Sequence, residues 1–229
     1  MPQQSGPQNS SLVVSYLVLR RAIGIIGLAL PFVLALGKIV FEGPGIQSSI
    51  SAYYHTDMRD VLVGSLCAIG VFLMSYRGYE RRDEIAGRLG SVFAIGVALI
   101  PTAPAVGATA LENALSAAHF GLAGLFFGTL AYFSIVLFTE TAPDAKPTRK
   151  KLQRNVIYRV CGYTMLATVG LIGLFTLPSV FPLAERFTPR FWLEALGIVA
   201  FGVSWLVKGE TILKDQETRS ATRAAAAKD

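Results

Sequence analysis

The chain has 229 residues, of which 52% are hydrophobic and 16% charged, with a formal net charge of +6. Soluble domains usually carry about a quarter charged residues. Here the charges lie in clumps between long apolar runs, which excludes an ordinary soluble domain and points to a polytopic membrane protein.

A membrane-spanning helix needs about 20 apolar residues. Six runs meet that need, at residues 20–41, 57–75, 85–100, 111–138, 156–177 and 191–207. The expected fold is therefore all-α: a polytopic bundle of six transmembrane helices in one domain over residues 1–208. A mobile cytoplasmic tail follows at 209–229, Ala-rich but without an apolar face. The first ten residues hold no Lys or Arg. The apolar run after them is too long for a signal-peptide core and lacks a small-residue cleavage signature, so the first span is read as retained.

In chain order, Pro31 is expected to kink span one, and Gly43-Pro44-Gly45 closes it with a turn signal. Span three ends before the proline-rich "PTAP". Thr109-Ala110-Leu111-Glu112 has the T-x-x-E spacing of a capping box and opens span four. Thr188-Pro189 places a capping hydroxyl before a proline and opens span six. Gly24, Gly27, Gly121, Gly124, Gly128, Gly162, Gly170 and Gly173 recur inside the spans and are read as close helix–helix packing. Tyr76, Tyr79, Tyr158 and Trp205 are read as interfacial anchors. Cys67 and Cys161 fall at different depths, which argues against a disulfide and for small packing residues.

Orientation follows from Lys and Arg in short loops. Of the 21 such residues, all but Lys38, Arg59, Arg186 and Arg190 fall on one side when the loops alternate. That side is cytoplasmic by the positive-inside rule, so both termini are expected inside. The basic excess is thereby explained without nucleic acid, and the lipid bilayer is the expected surrounding.

The stretch "SSISAYYHTDMRD" at 48–60 then lies on the outer face. His119 lies in the outer half of span four, on one helix face with Glu112 and Ser116. Glu194 is one turn into span six, at the same level. Ionisable groups within spans are costly and usually face the interior or water. A candidate outer pocket therefore comprises Ser49, Ser51, Tyr53, Tyr54, His55, Asp57, Asp60, Ser116, His119 and Glu194. Glu80, Asp83 and Glu84 read as a solvated inner loop, so the matching acids of a proton relay are missing.

The leading functional expectation is an outer-side pocket that takes a lipid or small polar ligand without a cofactor. One alternative is a metal-dependent membrane hydrolase, with His55, His119 and a carboxylate such as Asp57 on zinc and an open position for water. No H-E-x-x-H or H-x-x-x-H spacing supports that set. A second alternative is a purely structural or partner-binding membrane protein. In it the outer stretch folds down as a plug whose polar groups are satisfied by His119 and helix ends, which also explains Ile46 and Ile50 among the serines.

The runs "SSISAYYHTDMRDVLVGSLCAIGVFLMSYRGYE" and "GSVFAIGVALIPTAP" resemble a group of uncharacterised bacterial six-span inner-membrane proteins, loosely allied to the DRAM-like family. The resemblance covers spans two and three and implies a bacterial inner (plasma) membrane and six helices, with no assigned reaction. A fainter likeness is to the alkaline ceramidase and adiponectin-receptor hydrolases, which use an intramembrane zinc held by three histidines. Here Ser116 and His119 are spaced S-x-x-H rather than S-x-x-x-H, and a third histidine is absent. Both departures argue against carrying the activity over.

Overall fold

The computed structural model describes residues 7–76, 80–141, 147–175 and 189–211, with side chains of the first helix described from residue 17. Thr188, Tyr79, the last residues of span five and the tail from 212 onward lie outside the described residues. Among the described residues every regular element is helical. Six long helices follow in order: α1 (Pro7–Glu42), α2 (Arg59–Met74), α3 (Arg81–Leu99), α4 (Ala110–Tyr132), α5 (Arg149–Leu174) and α6 (Pro189–Lys208). A short 3-10 turn, Ser51–His55, precedes α2, and a π-helical turn, Phe133–Leu137, extends α4.

Four segments are long and apolar enough to cross a membrane: Leu17–Glu42, Ala110–Leu137, Arg149–Leu174 and Pro189–Lys208. The other two fall short for physical reasons. Helix α2 has 16 residues, roughly 24 Å at 1.5 Å per residue. Helix α3 opens on Arg81, Arg82, Asp83 and Glu84 and adds Arg88 two turns in.

Each helix packs on its chain neighbours, and α6 closes back on α1, so the six form a ring. The α1–α6 crossing depends on two glycines. A Cβ on Gly202 would lie 2.6 Å from the Leu28 nitrogen and 2.9 Å from the Gly24 oxygen. No side chain can occupy that gap unless the backbones separate. Gly27 and Gly162 are similarly crowded. The close-packing reading fails for Gly121, Gly124, Gly128, Gly170 and Gly173, where an added Cβ meets nothing within 4 Å.

One end of the ring is filled by an aromatic core. Tyr76, Phe133, Phe138, Tyr158 and Trp205 are all buried, and the Trp205 ring centroid lies 5.5 Å from Tyr76 and 5.2 Å from Phe138. Thus Tyr76, Tyr158 and Trp205 are core residues, not interfacial anchors. Two cations lean on this layer, Arg20 over Tyr76 at 5.4 Å and Lys208 Nζ over Phe138 at 5.0 Å. Asp83 is buried at this end rather than solvated. It sits in the first turn of α3 and accepts from the Glu80 N–H at 3.1 Å, which ties it to the helix start.

The other end is built from the exit of α1, residues 43–58, the exit of α3 and the entries of α4 and α6. Helix α1 runs through Pro31 as one helix to Glu42. Gly43 (φ 96°) and Gly45 (φ 105°) then turn the chain, a conformation that strains any side-chain-bearing residue. The α4 capping box is present: Glu112 N–H donates to Thr109 Oγ1 at 3.2 Å, and Thr109 N–H donates back to the Glu112 carboxylate at 2.7 Å. Cys67 and Cys161 are both free.

Candidate functional site

The polar loop enters the ring instead of lying over it. Ile50 and Tyr53 are buried and pack with Leu30, Leu34, Met58, Leu62 and Phe191 into a second apolar core. These two side chains anchor the loop by removing apolar surface from water or headgroups. Local hydrogen bonds then shape it. Ala52 N–H donates to Ser49 Oγ at 3.0 Å, and Thr56 O–H donates to the Tyr53 carbonyl at 2.8 Å. Burial pushes the Tyr53 phenol above its ordinary pKa. The Gln47 N–H bonded to it works the other way, and the Glu42 charge adds to the rise.

Two long-range contacts fasten the loop to distant helices. Ser51 N–H donates to the Glu194 carboxylate of α6 at 3.1 Å. His119 Nε2 lies 3.0 Å from Ser51 Oγ, and His119 Nδ1 lies 2.6 Å from the Ile100 carbonyl. The Val97 backbone also reaches the ring. The reason these carbonyls are free is covalent. In a continuing helix, Val97 and Ile100 would accept from the N–H groups of residues 101 and 104, and both are prolines without an N–H. His119, buried on α4, satisfies what the prolines leave open. A carbonyl can only accept, so Nδ1 carries the proton; in the neutral ring Nε2 is then the acceptor and Ser51 O–H donates to it.

Beneath this knot, between the two apolar cores, lies a cavity of about 470 Å³, within the size range of small-molecule sites. Residues from all six helices and the loop line it. Its polar wall consists of Ser51, Tyr54, His119 and Glu194 at the loop end, with Thr168 deeper down. Thr168 spends its hydroxyl on the Met165 carbonyl at 2.9 Å. The remainder is apolar, and Gly124 and Gly173 leave room where side chains would otherwise stand.

Of the ten residues expected at the pocket, four reach the cavity: Ser51, Tyr54, His119 and Glu194. Ser49 and Tyr53 serve the loop's own fold. His55 is exposed and turns its Nε2 to the Thr102 carbonyl at 2.8 Å. Asp57 and Asp60 are exposed at the entry of α2, and Asp57 N–H donates to Glu42 at 2.5 Å. Ser116 does not line the cavity. Glu112, expected at the same level, is committed to its cap. Arg59 donates to the Tyr54 hydroxyl at 2.9 Å and stacks on its ring at 4.5 Å.

The proposed zinc set is not assembled: His55 and His119 bind different carbonyls, and Asp57 faces outward. Among the described residues no three His, Cys, Asp or Glu side chains form a group able to hold a metal. The sequence reading missed the Ile100 carbonyl. The prolines of "PTAP" were its signal, read only as a helix stop. No family model, curated protein or solved structure matches the chain.

Proposed function

We propose that this chain is a six-span integral membrane protein, with both termini cytoplasmic, that takes a lipid chain into its central cavity from the outer side. The carrying observation is the cavity itself: an apolar space whose polar lining, Ser51, Tyr54, His119 and Glu194, is gathered at the loop end. That distribution matches an amphiphile, with its chain among the helices and its polar head at the loop, better than a small polar ligand. The four apolar span-like helices support the membrane setting. Helices α2 and α3 complete six spans in this reading, because they belong to the same closed ring. The resemblance to bacterial inner-membrane proteins supports that membrane as the location.

A photoactivatable phospholipid carrying a diazirine in its acyl chain tests this in reconstituted vesicles. In wild type, crosslinks should map to cavity residues such as Phe120, Ile172 and Ile198. Gly124→Leu adds a side chain into open space and should remove those crosslinks while keeping the wild-type melting temperature. Crosslinks confined to outward-facing residues such as Leu125 and Leu171 would overturn the reading.

A second reading is favoured by one observation. Both ring nitrogens of His119 and the Glu194 carboxylate are already satisfied within the chain, as a structural plug requires. The plug reading predicts that no variant of the cavity changes lipid labelling.

A further inference from the structure

We propose that Ser51 and His119 form a nucleophile–base pair for acyl transfer from an ester lipid to water. This rests on the lipid-pocket reading and gives that pocket a reaction. Nucleophilic catalysis by serine needs a base within hydrogen-bond reach of the hydroxyl, and a third group that holds the base in the right tautomer. All three are present. Ser51 Oγ lies 3.0 Å from His119 Nε2, and the Ile100 carbonyl holds Nδ1 at 2.6 Å. The carbonyl does for the ring's orientation what a carboxylate does in a serine–histidine–aspartate triad. It adds no charge, so a slower catalyst is expected than a full triad.

The placement of Ser51 suits the role. It is the first residue of a 3-10 turn, partly exposed, and it lines the cavity. Its own N–H is held by Glu194 at 3.1 Å, which makes Glu194 a positioning residue. Side chains three apart in a 3-10 turn eclipse, so Tyr54 stands over the same face and lines the same cavity. The Tyr54 hydroxyl accepts from Arg59 at 2.9 Å, which polarises its O–H toward donation. Tyr54 is thereby assigned as the donor to the developing oxyanion.

The step balances without further reagents. Ser51 Oγ attacks the ester carbonyl carbon while its proton passes to His119 Nε2. The tetrahedral oxyanion collapses, the carbon–oxygen bond to the alcohol breaks, and His119 gives that proton to the leaving alcohol oxygen. Water then attacks the acyl carbon while its proton passes to His119 Nε2; the bond from that carbon to Ser51 Oγ breaks, His119 returns the proton to Oγ, and the carboxylic acid leaves with Ser51 and neutral His119 restored. The acyl chain occupies the apolar barrel, and the alcohol leaves toward the loop. The substrate class is an ester of a long-chain fatty acid.

The full chain in lipid vesicles is treated with a long-chain fluorophosphonate, and adducts are mapped by mass spectrometry, in parallel with the diazirine-lipid labelling above. Ser51 should carry the adduct, and Ser51→Ala should lose it. Tyr54→Phe should slow hydrolysis of a long-chain p-nitrophenyl ester by roughly 100-fold. The wild-type labelling rate should rise with pH as the imidazole loses its proton. His119→Gln should lower the rate and remove that dependence. Should His119→Gln not fold, the Ser51 adduct and the wild-type pH profile still decide. Crosslinking to the cavity without a Ser51 adduct overturns the acyl-transfer inference and leaves the pocket standing; absence of both overturns the two together. Equal labelling of Ser51 in wild type and folded His119→Gln also overturns it.

Discussion

Ser51 and Glu194, 143 positions apart in sequence, are joined by a hydrogen bond from the Ser51 N–H to the Glu194 carboxylate at 3.1 Å. It ties the loop between α1 and α2 to α6, beside the packing of Ile50 and Tyr53 with Phe191. Removing the acceptor leaves a partly buried N–H without a partner, which costs about 1–3 kcal/mol. Glu194→Ala should therefore lower the melting temperature in mild detergent. It should also speed hydrogen exchange at Ser51. Glu194→Gln keeps an oxygen acceptor and should lose much less. Equal effects of the two variants would show that the contact carries no stability.

The glycines divide into two groups with opposite expected outcomes. At Gly202 the new methyl meets the Leu28 and Gly24 backbones, and at Gly24 it meets the Leu206 nitrogen at 2.8 Å. Backbone cannot rotate away as a side chain can, so Gly24→Ala and Gly202→Ala should each cost about 1–3 kcal/mol. Gly121→Ala and Gly128→Ala enter open space and should be close to neutral or slightly stabilising, since alanine is the better helix former. Thermal melts of the four single variants check this directly. Matched losses at all four would refute the division.

What could be read without coordinates follows the range of the forces involved. Helix content, the α4 cap and the turn at Gly43 are local consequences of hydropathy and backbone chemistry, and the structure has all three. The meeting of Ser51, His119 and Glu194 at one depth was legible because loop polarity and helix spacing place them at one end. The Ser51–His119 pairing was not, because the Ile100 carbonyl that orients the ring is backbone, and its one trace in the letters, Pro104, reads first as a helix stop. The same limit explains the misread glycines and aromatics. Gly24 and Gly124 look alike as letters, and only the α1–α6 crossing distinguishes them. Trp205 and Tyr158 have the composition of a membrane-interface belt, but the ring closure turns them inward. His55 looked equivalent to His119 and is instead an exposed hydrogen bond to Thr102.

Tyr53 gives the loop between α1 and α2 a sensitivity to alkaline conditions. Burial raises its phenol above the ordinary value, which is about 10 in an unfolded chain. The neutral phenol is thus favoured by the folded state. Its contribution is fully present below pH of about 10 and is lost as pH rises through the raised folded value. Loop opening, read as proteolysis near Tyr54, should increase above pH 10 in wild type. In Tyr53→Phe that alkaline component should be absent, with a small constant cost from the Gln47 N–H that loses its partner at 3.4 Å. A Tyr53→Phe variant with an unchanged alkaline transition would assign the transition to other groups.

The ring closure makes a topological prediction that is independent of the cavity. In the proposed topology of six spans with both termini cytoplasmic, the α3–α4 connection lies on the outer side and residue 141, just past α4, on the inner side. Val106 is 88% exposed in the first of these, and Thr141 is exposed in the second. Cysteines placed at each, in a chain with Cys67 and Cys161 replaced by alanine, can be challenged in intact cells with a membrane-impermeant maleimide. Val106→Cys should react at once, and Thr141→Cys only after the membrane is permeabilised. If α2 and α3 instead lay on the membrane surface as a hairpin, four crossings would remain and the termini would still share a side. The α3–α4 connection would then emerge on the same side as Gly43, so Val106→Cys alone could not separate the two cases. A cysteine at Glu80, exposed between α2 and α3, does so. In six crossings it is protected until permeabilisation, and in four it reacts together with Val106→Cys.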